Sequence, residues 1–205
     1  MYTFVHATKT GGTAVEQYFK EHHPTSVAGT GHLHKCGRAP MPIIIVRDPE
    51  DRFVSMFNYW RNGAESGKYV RDPSWSPPCR TISDFIALFK QQDPALVKKK
   101  LCTGYTTKLH FVEQSYWIEP QDYSRTIVIA YDKNGMDDKI RKLLLHVGLP
   151  PVGLPLPKVN VTKRSPPEAL VLSDDDRAWI RSEFKNDFRL WHLANKHPDR
   201  FKLVV

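Results

Sequence analysis

Tyr2-Thr3-Phe4-Val5-His6-Ala7-Thr8-Lys9-Thr10-Gly11-Gly12-Thr13 is the stretch on which the reading of this chain turns. Tyr2 to Val5 is a short apolar run of strand type. From Thr13 to His23 the apolar residues Val15, Tyr18 and Phe19 recur at helical spacing until Pro24 stops them. Between strand and helix, Lys9-Thr10-Gly11-Gly12-Thr13 predicts a phosphate cradle. Its glycines carry no Cβ to block an anion from the backbone, and the helix start offers unpaired N–H groups at the positive end of a dipole. Lys9 adds a full charge.

A second strand-to-helix junction sharpens this. Ile43-Ile44-Ile45-Val46 is a continuous apolar run, the mark of a strand buried on both faces in a parallel sheet. It leads into Arg47-Asp48-Pro49-Glu50-Asp51-Arg52-Phe53-Val54-Ser55, where Asp48 suits an N-cap, Pro49 the first helical position, and Phe53, Met56, Phe57 and Trp60 a core stripe. Two anion-binding turns on adjacent strand ends predict a ligand phosphorylated at both ends.

Outward from these junctions, Thr126 to Ala130 predicts a third strand. Ser83 to Lys90, about Asp137 to Val147, and about Ser173 to Ala194 predict helices, the last one starting on Asp174, Asp175 and Asp176. Residues 61–80 and 148–167 read as long loops, the second carrying six prolines. Strands alternating with helices point to an α/β fold: one domain over 1–205, with a central parallel sheet flanked by helices and a P-loop-like layout.

With 205 residues the chain has room for one well-filled core. Thirty Lys and Arg against 22 acids give a net charge of +8, which favours acidic partners. The three cysteines, Cys36, Cys79 and Cys102, contain no CxxC pair, so neither a zinc site nor a disulfide scaffold is indicated. No run approaches the roughly twenty apolar residues of a membrane span. As given, the chain reads as soluble; its compartment is not written in these residues, a cytoplasmic one being favoured over a trimmed catalytic domain of an anchored protein.

A KTGGT cradle followed by a strand ending in RDPxxRxxS resembles the sulfotransferase family, whose donor is 3′-phosphoadenosine 5′-phosphosulfate (PAPS). The resemblance implies that the His6 to Thr13 loop, often HIPKTGGT in that family, holds the 5′-phosphosulfate through Lys9, Thr10, Gly11, Gly12 and Thr13, with Lys9 against the transferring group. It implies that Arg47 and Ser55 bind the 3′-phosphate. Arg52, one turn before Ser55, either assists or pairs with Asp48 or Asp51. Thr8 stands where the family usually has proline.

Gly31-His32, upstream of the second junction, is similar to the uronyl 2-O-sulfotransferase branch, where a histidine in a GH dipeptide is the base. This makes His32 the expected base and His34 the reserve, with His6, His22 and His110 as other histidines able to face a cleft. Tyr131-Asp132 is similar to a YEDL-like strand end. Lys158 to Arg164 resembles the late loop over the nucleotide, with Thr162 and Arg164 as its contacts. The implied acceptor is a hydroxyl, on a carbohydrate or a small-molecule alcohol.

Two other classes compete. A P-loop-like kinase or hydrolase places its lysine after the glycines and follows it with Ser or Thr, whereas Lys9 precedes them. A noncatalytic module for acidic ligands fits the charge, yet the basic residues are dispersed and no aromatic-basic motif for nucleic acid is present. The expectation is therefore an enzyme with PAPS as donor, and with neither a metal nor a nucleic-acid partner.

Overall fold

The computed structural model describes residues 1–29, 31, 35–61, 79–91, 112–158 and 165–196. It is an α/β fold with a four-stranded, all-parallel sheet and, among the described residues, six α-helices. The chain divides into two compact units. One comprises Met1–Asp48, Glu113–Val159 and Asn186–Val205; the other comprises Pro49–Val112 and Asn160–Lys185.

The first unit holds the sheet. Its strands are β1 (Tyr2–Val5), β2 (Val27–Gly29), β3 (Pro42–Val46) and β4 (Ile127–Ala130), in the order β2-β1-β3-β4. Phe4 lies opposite both Gly29 and Ile43, and Ile44 opposite Val128. Every residue of β3 and β4 is buried, as expected of unbroken apolar runs in a parallel sheet. The three strands expected from sequence are present. β2 is an addition: Val-Ala-Gly is too short to show any period, and it becomes a strand only by pairing with β1.

Helix α1 (Gly12–His22) follows β1 and α4 (Met136–His146) follows β4. Val15, Tyr18 and Phe19 from α1 join Ile140, Leu143 and Leu144 from α4 over Phe4, Ile43, Ile45 and Ile129. Gly148, at φ +73°, ends α4 in the left-handed conformation that glycine adopts without steric cost, and Leu149 N–H bonds back to the Leu144 carbonyl at 2.8 Å. The proline-rich stretch after it carries neither helix nor strand over its described part. Leu149, Val152 and Leu156 pack on the core, and the Val152 carbonyl accepts from the Tyr18 hydroxyl at 3.2 Å. Cys36 is buried here, and burial pushes its thiol up to about 12. Helix α6 (Lys185–Lys196) completes the unit.

The second unit contains α2 (Pro49–Arg61), α3 (Ile82–Gln91) and α5 (Asp174–Glu183). Its core is aromatic. Phe53 and Phe57 of α2 meet Phe85 of α3 at ring separations of 5.9 and 5.4 Å, and Trp179 of α5 reaches Phe53 at 5.8 Å. Such tilted and edge-on pairs suit the aromatic quadrupole. The single helix expected from Ser173 to Ala194 is in fact two. Phe184 leaves helical geometry at φ −113°, ψ 35°, with its ring buried against Phe53. No Gly or Pro marks the break; tertiary packing of Phe184 overrides the helical period of the sequence.

Among the described residues no helix is long and apolar enough to cross a membrane. Most of the expected 61–80 loop, and His110 among the other candidate histidines, lie outside the described residues.

Candidate functional site

β1 and β3 are hydrogen-bonded neighbours running the same way, so the segments that leave them emerge at one edge of the sheet. In parallel α/β sheets that carboxyl edge is where ligands bind. The loop after β1 curls through two left-handed residues, Lys9 at φ 60° and Gly11 at φ 83°. For Lys9 that conformation costs on the order of 1 kcal/mol, which the rest of the loop must offset. Thr8 and Thr10 are buried beneath the turn, and the Thr10 hydroxyl donates to the Ala7 carbonyl at 2.9 Å. Thr10 therefore braces the loop from within.

Gly11 caps α1 without any side-chain hydrogen bond, and the first turn of the helix carries no acid. Gly12 is buried and Thr13 is exposed. The helix start thus presents its positive end with no side chain of its own to neutralise it.

The two glycines have a requirement that their spacing did not reveal. A Cβ on Gly11 would stand 2.6 Å from Cε2 of Tyr131, and one on Gly12 would stand 2.3 Å from Cδ2 of His6. Two rings of the protein fill the space that any side chain would need. The bare backbone is a condition for packing the loop between Tyr131 and His6.

Arg47, which follows β3, is brought to this loop. Its Nη1 lies 3.4 Å from the Lys9 carbonyl oxygen, and its guanidinium sits 4.7 Å above the centre of the Tyr131 ring. The backbone of Arg47 is gripped on both sides by one buried amide: Arg47 N–H donates to Gln114 Oε1 at 2.7 Å, and Gln114 Nε2 donates to the Arg47 carbonyl at 2.8 Å. Asp187 of α6 steadies the same turn, accepting from Ser115 N–H at 3.0 Å. Among the described residues, buried Nε of Arg47 finds no hydrogen-bond partner. A buried donor without an acceptor costs roughly 1 to 3 kcal/mol, more when charged, so this atom suits an anion placed at the strand ends. The donor set of Lys9, helix-start amides and Arg47 fits a nucleotide phosphate.

Arg52 and Ser55 lie on α2, in the second unit. Arg52 is 2 % exposed and donates through Nη2 to the Val112 carbonyl at 2.7 Å, so at least part of its guanidinium serves the packing of that unit. Ser55 is half-buried. The expected bases His32 and His34 and the expected late-loop contacts Thr162 and Arg164 lie outside the described residues. Among the described residues no group of three His, Cys, Asp or Glu side chains is placed to hold a metal ion.

Three partners escaped the sequence reading. Tyr131 was visible only as a similarity at a strand end, with nothing to say that its ring meets Gly11 and Arg47. Gln114 sits 67 residues from Arg47 in a stretch without motif, and no local signal points to it. Glu16 bonds to His6 within the first helix turns, where it reads as one more polar residue on an amphipathic helix.

No protein-family model, no curated protein and no solved structure matches this chain significantly.

Proposed function

We propose that this chain is a sulfotransferase that moves a sulfuryl group from PAPS to an acceptor hydroxyl, most simply on a carbohydrate. The observation that carries the reading is the placement of Arg47 against the Lys9 loop, at the adjoining ends of β1 and β3. A single site with cationic donors from two separate turns suits a nucleotide charged at both its 5′ and 3′ positions.

PAPS supplies an activated sulfuryl group on a good leaving phosphate. Lys9 and the amides from Thr10 to Thr13 hold that end and oppose the charge that develops on the bridging oxygen as the sulfur–oxygen bond breaks. Arg47 takes the 3′-phosphate. Ser55 and Arg52 are assigned to that phosphate by the motif resemblance alone, and Thr162 and Arg164 to the nucleotide on the same basis. His32, with His34 in reserve, removes the acceptor proton as the hydroxyl oxygen attacks sulfur in line.

Calorimetry with 3′-phosphoadenosine 5′-phosphate tests the donor site. The nucleotide is expected to bind and to stabilise the fold against heat, whereas ATP with magnesium or an oligonucleotide does so far less. Arg47→Ala is expected to weaken binding about tenfold or more, the range for one charge-assisted contact. Absence of binding, or binding indifferent to Arg47→Ala, overturns the proposal. Preference for ATP with magnesium would favour a kinase or hydrolase.

A further inference from the structure

Beside the phosphate loop, a second polar network runs through Glu16, in the second turn of α1. Oε2 of Glu16 lies 2.8 Å from Nδ1 of His6, at the end of β1, and Oε1 accepts from Gly31 N–H at 2.9 Å. His6 N–H in turn donates to the Gly31 carbonyl at 3.3 Å. One carboxylate therefore joins the exit of β1 to the chain just beyond β2.

The surrounding glycines are shaped to this network. A Cβ on Gly29 would come within 2.4 Å of Oε1 of Glu16, and one on Gly12 within 2.3 Å of the His6 ring. Gly31 itself is left-handed at φ +57°. His6 is 5 % exposed, and the Glu16 side chain is 27 % exposed. An ordinary solvated glutamate on a helix would need none of these accommodations. Here both oxygens are committed, and the bonds to an ionised carboxylate are of the stronger kind.

We propose that Glu16 is a positioning residue for catalysis: by holding Gly31 to His6 and α1, it fixes the start of the segment that carries His32 relative to the phosphate loop. This rests on the sulfotransferase reading above, in which His32 is the base. Donor binding is assigned to Lys9 and Arg47, so the loss of Glu16 is expected to fall mainly on the chemical step. Misplacing a reacting group by about 1 Å can cost on the order of a hundredfold in rate.

Steady-state kinetics and amide hydrogen exchange on the full chain decide it. Glu16→Ala is expected to lower kcat at least tenfold, to leave KM for PAPS and the affinity for 3′-phosphoadenosine 5′-phosphate within threefold, and to speed exchange at Gly31. Glu16→Gln is expected to recover most of kcat, because its amide oxygen still accepts from Gly31 and its amide nitrogen stays within reach of His6 Nδ1. Gly29→Ala keeps the carboxylate but displaces it, and should reproduce the kcat loss even where Glu16→Ala folds poorly. Wild-type kcat in Glu16→Ala and Gly29→Ala, donor affinity falling in step with kcat, or unchanged exchange at Gly31 overturns the inference. A wild-type protein that neither binds the adenosine bisphosphate nor transfers sulfate overturns the proposed function, while exchange at Gly31 still reports whether Glu16 anchors that segment.

Discussion

The starts of α1 and α5 solve the same problem in opposite ways. Both helices begin with backbone N–H groups that have no partner within the helix. At α5, Ser173 accepts from Asp176 N–H at 3.2 Å, the Asp176 carboxylate accepts from Ser173 N–H at 3.1 Å, and three aspartates occupy the first turn. At α1, Gly11 provides no side-chain cap, the first turn has no acid, and Lys9 stands two residues ahead of that cap. The α5 start is neutralised by its own sequence. The α1 start has neither a side-chain cap nor a first-turn acid to offset its positive end, and its glycines are enforced by Tyr131 and His6.

Removing Lys9 should have the largest effect. Lys9→Ala is expected to reduce sulfuryl transfer about 10² to 10³-fold in kcat, the range for losing one preorganised donor to a developing oxyanion. Steady-state assay with labelled PAPS checks it, and a loss below threefold would remove Lys9 from the chemistry.

Making α1 resemble α5 comes next. Thr13→Asp places a carboxylate in the exposed first turn of α1. It is expected to weaken binding of the adenosine bisphosphate about tenfold while raising thermal stability slightly, since an acid at a helix start contributes about 0.3 to 1 kcal/mol. Calorimetry and thermal melting read the two effects separately. Unchanged nucleotide affinity would show that the α1 start is no anion site.

The reverse change at α5 should touch stability alone. Ser173→Ala is expected to cost about 1 kcal/mol in a denaturant titration and to leave donor affinity as it was.

The smallest effect lies in acid. Burial of Asp176 works to raise its pKa, but bonds from the Ser83 and Ser173 hydroxyls and from Ser173 N–H outweigh it and hold the carboxyl below its ordinary value. A carboxyl depressed in the folded state stabilises the protein above its unfolded pKa, near 4, and that contribution is lost as pH falls through the lower folded value. Asp176→Asn should therefore flatten the decline in thermal midpoint below about pH 4. An unchanged acid limb would show that the carboxylate contributes nothing there.

Legibility followed distance along the chain. The β3 and β4 runs, the α1 stripe, the capping acids of α5 and the stop after α4 were all readable, because each depends on neighbours within a few residues. β2 was missed because three residues show no period. The break at Phe184 was missed because the residue that forces it packs against Phe53, far away in sequence. At the site, Lys9 and Arg47 were readable as motif residues. Gln114, Tyr131 and the Glu16 network were not, since each matters through contacts no motif encodes.

By itself the sequence determined an alternating α/β chain with two cationic turns, each placed between a strand and a helix. Hydrophobic period and turn chemistry are local, so they survive translation from sequence to structure. Only the tertiary structure decided that Val27–Gly29 becomes a strand beside β1, that one ring packs both Gly11 and Arg47, and that a buried glutamine 67 residues away holds Arg47 in place. Those choices depend on strand order and on close packing between distant segments, where the free energy of a contact belongs to the pair and not to either residue alone.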